Sequence, residues 1–189
     1  MTTTTIILII VAVLAVGLIV IYNGLITTRN RVDEAWNDIK IQLKRRFELI
    51  PDLMKTVQAA IKLDEKLLTE ITKLRSQAAD MDSKDAGPAE RADVEGQLNG
   101  LMGQLKIQVE AYPDIKSHGE ISQFMTELTD TQDKIMAAQR FYNGMVRDFN
   151  TKIQVFPTNM FALMLGFKAY EFFEVTEAEQ MKSDIKLDV

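Results

Sequence analysis

The 189 residues contain no cysteine and one histidine, His118. That removes disulfide staples, thiolate catalysis, iron–sulfur clusters and cysteine-ligated zinc, and one imidazole cannot furnish the two Glu-x-x-His pairs of a di-iron bundle. An excess of positive charge is also missing. The 22 basic and 27 acidic side chains leave a net charge of −5, the wrong sign for a chain that grips phosphates, so nucleic acid is not an expected partner. There is no Gly-rich phosphate loop, nucleophile elbow or HExxH. His118 stands beside Gly119 and reads as a turn or helix-start residue. No catalytic, cofactor-binding or metal-ligating residue is assigned, and neither a cofactor nor an enzyme activity is expected. Proline (four) and glycine (nine) are scarce, and few segments are dominated by β-branched residues, so the fold class expected is all-α.

Charge is missing altogether from Ile6 to Ile26. Those residues span about 31 Å as a helix, the thickness of a bilayer's hydrocarbon core, and read as a single transmembrane helix. A cleaved secretory signal would need a charged leader and a small-x-small site. MTTTT and Tyr22-Asn23-Gly24-Leu25 supply neither, and no cysteine follows for a lipoprotein anchor. Arg29, Arg31, Lys40, Lys44, Arg45 and Arg46 follow within about 20 residues, which favours the N-terminus outside and the bulk on the cytoplasmic side.

Beyond the span, apolar residues recur in steps of three and four from Val32 through Trp36, Ile39, Leu43, Ile50, Leu53 and Val57 to Leu67, Ile71, Leu74 and Ala78, interrupted by Arg46 and Asp64. This is a heptad-like, coiled-coil-like stripe. Pro51 lies inside it and predicts a kink or break between Glu48 and Pro51. Met81 to Asp93 has the composition of an interhelical loop and is where the chain is most expected to flex. A second helix is predicted from about Ala89 to Ala111, with Val94, Leu98, Leu101, Leu105 and Val109 on one side and Tyr112-Pro113 ending it. Its Gly96, Gly100 and Gly103 are expected to be compensated by close helix packing, rather than to form a dimer motif. The third stretch, from Ser117 or Glu120 to Phe156, carries Ile121, Phe124, Leu128, Thr131, Ile135, Ala138, Tyr142, Met145, Phe149 and Ile153, and Pro157 ends it. The architecture expected is one N-terminal transmembrane helix followed by an antiparallel bundle of three to four long helices.

Tyr22-Asn23-Gly24-Leu25, Asn30-Arg31-Val32-Asp33-Glu34-Ala35-Trp36 and Arg46-Phe47-Glu48-Leu49-Ile50-Pro51-Asp52-Leu53, followed by Tyr112-Pro113-Asp114-Ile115-Lys116-Ser117, Phe141-Tyr142-Asn143, Phe149-Asn150-Thr151-Lys152-Ile153 and Phe172-Phe173-Glu174, resemble the LemA family of bacterial membrane proteins over nearly the whole chain. The resemblance implies a short outer N-terminus, one membrane helix and a cytoplasmic helical bundle, and it implies no reaction. The three glycines of the second helix and Lys168-Ala169-Tyr170 depart mildly from the family pattern.

The organisation expected is a membrane anchor over 1–26, a helical bundle over 27–157, and an apolar segment with an acidic tail over 158–189. Two features address partners. Lys40, Lys44, Arg45 and Arg46 form a basic cluster near the membrane, read as a solvated helix face or an anionic-lipid contact. The run Met160 to Phe167, followed by Phe172-Phe173, is too short to span a bilayer; it is expected to pack on the bundle, lie in the membrane interface or fill a groove on a neighbour. The net −4 of Glu171 to Val189 argues against adhesion of the tail to anionic lipid. The stripe near Trp36, Ile39 and Leu43 has no obvious cover within the chain and motivates a homo-oligomer. The function expected is a membrane-anchored scaffold or oligomeric membrane-organising protein, with an accessory or regulatory subunit of a membrane enzyme or transporter as the alternative. The partners expected are the lipid bilayer, further copies of the chain and a possible membrane-protein partner.

Overall fold

The computed structural model describes residues 2–61, 64–112 and 119–174. His118 and the acidic tail beyond Glu174 lie outside them. Every regular element among the described residues is a helix: α1 Thr3–Ala60, α2 Glu65–Ser83, α3 Pro88–Glu110, α4 Gly119–Gln154 and α5 Thr158–Met164. The all-α class expected from the sequence is the class observed. Of these helices, α1 is long and apolar enough to cross a membrane, and its large side chains from Ile6 to Val20 are exposed.

Pro51 does not break the first helix; it sits inside α1. The missing donor forfeits one backbone hydrogen bond, but Ile50, Leu53, Met54 and Val57 around it are buried, and that burial outweighs the loss. The helix ends nine residues later at Ala60, and Asp64 caps α2 by accepting from the Lys66 amide at 2.8 Å. The predicted loop over Met81–Asp93 shrinks to the four residues between Ser83 and Pro88, because Pro88 is tolerated at the first turn of α3. Across that turn Arg91, 3% exposed, donates to Asp82 Oδ1 at 2.9 Å and to the Ala86 carbonyl at 3.3 Å. Asp85 within it takes a positive φ of 49°.

The chain forms two compact units. One comprises the residues up to Asp38 with Arg140–Glu171; the other comprises Ile39–Gln139 with the described residues from Phe172 on. In the second unit four helices share one apolar core: Ile50, Leu53 and Val57 of α1, Leu67 and Ile71 of α2, Leu98, Met102 and Leu105 of α3, and Ile121 and Leu128 of α4. Met102 is buried beside Leu98 and Leu105 on α3, while the expected Leu101 packs partly buried against the same core.

The first unit is built differently. Leu25, Val32 and Ala35 of α1 and Tyr142, Val146 and Phe149 of α4 are buried, and the Trp36 and Tyr142 rings meet at 5.3 Å. Lys152, ten residues beyond Tyr142, reaches Gly24 and Thr28, so α4 runs back along α1 toward its apolar run. Val146 takes the central place on the stripe that Met145 was expected to hold. The stripe thought to lack cover is covered: Ile39 and Leu43 are buried within the chain and Trp36 stacks on Tyr142. The apolar stripe of α1 at these positions therefore offers no open face for a second copy.

Candidate functional site

Arg46 falls in phase with Ile39, Leu43, Ile50 and Leu53, so the periodicity that buries them buries it too: it is 2% exposed. Its guanidinium donates from Nη2 to Glu95 Oε2 and from Nη1 to Asn99 Oδ1, both on α3, and from Nη1 to Gln132 Oε1 on α4 at 3.0 Å. Glu95 is itself buried. The cluster borders a small cavity of about 130 Å³ lined also by Leu43, Ile135, Met136 and Phe173. Burial pushes the Arg46 guanidinium down to about 10, which leaves it a cation at neutral pH. The arrangement ties α1 to α3 and α4 through one buried ion pair and two side-chain hydrogen bonds.

The basic cluster therefore dissolves. Arg46 is internal, Lys40 pairs with Asp85 at 3.2 Å, and Arg45 pairs with Glu127 at 3.1 Å; Lys44 remains exposed. The charges lie on different faces of one helix, which a linear count of cations does not resolve.

The second assembly is in the unit that holds the apolar run. After α5 the chain continues without regular secondary structure, and α4 binds it at Tyr170 and Glu171 through side chains. Asn150 Nδ2 donates to the Tyr170 carbonyl and Asn150 Oδ1 accepts from the Tyr170 amide, both at 2.9 Å; Tyr142 Oη donates to the Glu171 carbonyl at 2.8 Å. Tyr170 in turn donates from Oη to Asp33 Oδ1 at 2.6 Å, and its ring meets Phe149 edge-on at 5.2 Å. Burial raises both phenols, Tyr142 and Tyr170, above the usual tyrosine value, with Asp33 adding to each. Beside this clamp lies an open cleft of about 480 Å³ lined by Tyr22, Ile26, Arg29, Phe149 and Leu165–Tyr170. In the other unit Gln139 Nε2 donates to the Phe173 carbonyl at 3.0 Å, and Phe173 is fully buried.

Lys152 Nζ donates to the Gly24 carbonyl at 2.6 Å and to Thr28 Oγ1 at 2.9 Å. Gly24 permits this approach, since a Cβ there would lie 3.1 Å from that nitrogen. The glycine expected to serve close packing on α3 does not do so at Gly103, where an added Cβ would meet open space.

The sequence reading missed Glu95, Asn99 and Gln132 as partners of Arg46, and Asn150 as the residue that binds the backbone of Tyr170. Among the described residues no group of three or more His, Cys, Asp and Glu is placed to hold a metal ion.

The family model described as the LemA family matches residues 35–188. Protein LemA of Metamycoplasma hominis is 30% identical over 162 residues, which cover 86% of this chain and 73% of that protein. Magnetosome protein MamQ 2 of Paramagnetospirillum magneticum is 23% identical over 177 residues, covering 81% of this chain and 64% of its own length. Magnetosome protein MamQ of Magnetospirillum gryphiswaldense is 22% identical over 176 residues, covering 80% and 64%. The chain thus spans under two thirds of the magnetosome relatives.

Proposed function

Because the chain belongs to the LemA family, we propose that it is a single-pass membrane protein whose helical part works by association, as a scaffold or oligomeric membrane-organising element, without a catalytic step. The observation that carries this reading is α1. One helix of 58 residues contains both the apolar run and residues of the shared apolar core, so a contact made by the helical part is transmitted to the span without a linker. The buried polar groups support it, since Arg46 and Glu95 are spent on holding helices together. Two relatives named as magnetosome proteins accord with a membrane setting.

With this proposal go its finer features: an antiparallel bundle of three to four long helices, the N-terminus outside, the bundle on the cytoplasmic side of a bacterial plasma membrane, and a homo-oligomer. Arg29, Arg31 and the exposed Lys44 support the orientation, and confinement of all copies to one membrane raises their effective concentration for self-association. The test is the mass of the full chain in mild detergent, by light scattering over a range of concentrations, together with imaging. Assemblies larger than one chain are expected. A single-chain mass at every concentration would overturn self-association and leave an accessory subunit of a membrane enzyme or transporter. Cysteines placed at Thr3 and Gln97 test the orientation: an impermeant reagent on intact cells should label the first and spare the second, and the reverse pattern would overturn it.

A further inference from the structure

The fifteen residues from Ile153 to Phe167 include no charged side chain, and most of the large apolar ones among them are bare. Phe156 is 78% exposed, Leu163 83% and Met164 81%, with Met160 and Leu165 more than half exposed. A contiguous apolar surface of this kind marks a place where something else sits. Ala162, by contrast, is buried, so one side of α5 is packed and the other is left open.

Two independent contacts fix the level of this surface along α1. Just before it, Lys152 Nζ is bonded to the Gly24 carbonyl and to Thr28. Just after it, Leu165, Gly166 and Phe167 line the cleft together with Tyr22 and Ile26. Both ends of the segment are thus pinned beside the last turns of the run that ends at Ile26, where a spanning helix leaves the hydrocarbon for the headgroups. Lys152 and Lys168 flank the uncharged stretch, and lysines at that depth keep their ammonium groups at the polar boundary. The acidic residues begin at Glu171, whose backbone is already drawn to Tyr142, nearly three helical turns farther from the run.

We propose that α5 and the turns on either side of it are seated in the bilayer interface, with Phe156, Met160, Leu163, Met164 and Leu165 among the outer acyl-chain segments of the leaflet that α1 leaves. The protein then holds its membrane at two places, a span and an interfacial foot, and the occupant of the exposed surface is lipid. This rests on the reading of residues 6–26 as a span.

The absence of cysteine makes the test direct. Single variants Val16→Cys, Leu163→Cys and Gln97→Cys of the full chain are labelled with NBD and reconstituted into vesicles of phosphatidylcholine and phosphatidylglycerol. These contain lipids that carry a nitroxide either near the headgroup or deep in the acyl chain. Leu163 and Gln97 are solvent-facing, so the labels leave the packing intact. The label at 163 is expected to emit to the blue of that at 97 and to lose emission chiefly to the shallow nitroxide, while the label at 16 loses emission to the deep one. Quenching at 16 with a water-like label at 163 would overturn the interfacial foot and keep the span. A blue-shifted label at 163 that neither nitroxide quenches would place a second copy there and overturn the proposal. A label at 16 untouched by both nitroxides would overturn the span itself, and the foot with it.

Discussion

The two units are held together by different physics. Around Leu98 and Ile71 four helices bury aliphatic side chains against one another, and the polar member is an ion pair withdrawn from water. Around Phe149 there are fewer helical faces to pack. Cohesion there comes from rings at 5.2 to 6.2 Å and from side chains of α4 that bond the backbone of the segment after α5. Where several long helices converge, non-directional burial suffices; where a segment without regular structure docks on a helix, direction has to be supplied by amides, phenols and aromatic edges.

The largest expected effects set the two schemes against each other. Phe149→Ala removes the ring that meets both Phe167 and Tyr170 and should cost about 3–5 kcal/mol, read as a lower urea midpoint of helical circular dichroism. A midpoint equal to the parent's would mean the rings do not hold that unit. Glu95→Gln leaves the Arg46 charge buried without its counter-charge and should cost a comparable 3–5 kcal/mol. Arg46→Met with Glu95→Leu should recover most of that loss, because apolar residues of similar volume replace a buried pair well. Failure of the double variant to recover would show the pair to be indispensable to the core rather than merely satisfied by it.

Tyr142→Phe separates the units by pH. Both Tyr142 and Tyr170 are raised above their ordinary value of 10.0, so the folded state holds these protons more tightly than the unfolded one. Their contribution is complete below pH 10 and drains away as pH rises through the raised values. The parent's stability should therefore fall above pH 10. Tyr142→Phe should lose about 1 kcal/mol at neutral pH and show a shallower alkaline decline; an unchanged slope would acquit the phenol. The smallest effect is a gain common to both units. Gly103 and Gly144 lie in helices where an added Cβ meets nothing within 4 Å, so each Gly→Ala change should raise stability by up to about 1 kcal/mol. A loss at either would reveal a neighbour absent from the fold as described.

Helices were the most legible part of this chain, since periodicity places α3 and α4 within a few residues of where they are found. Pro51 misled because a single lost hydrogen bond is weighed against burial that depends on neighbours not adjacent in sequence. Arg46 was visible as a charge in phase with an apolar stripe, and that phase was the signal for burial. Its partner Glu95 stands 49 positions away, and Glu95 is likewise in phase with Leu98 and Met102. The Asn150–Tyr170 pairing was not legible, because a side chain that bonds the backbone of an irregular segment leaves no period to count. The open face of α5 was readable as an apolar run, but its level beside Gly24 and Tyr22 came only from tertiary contacts.

The pairing of the two ends of this chain also sets an order in time. Trp36 waits for Tyr142, which is made 106 residues later, and Gly24 waits for Lys152 across 128. At ordinary rates of synthesis that delay is roughly 5–25 s, so the apolar run has left the ribosome long before the surface beside it can be closed. During that interval the α1 face from Leu25 to Trp36 is an open flank on a nascent membrane protein. The segment after α5, with Tyr170 docked on Asn150, is among the last parts of the described chain to be made.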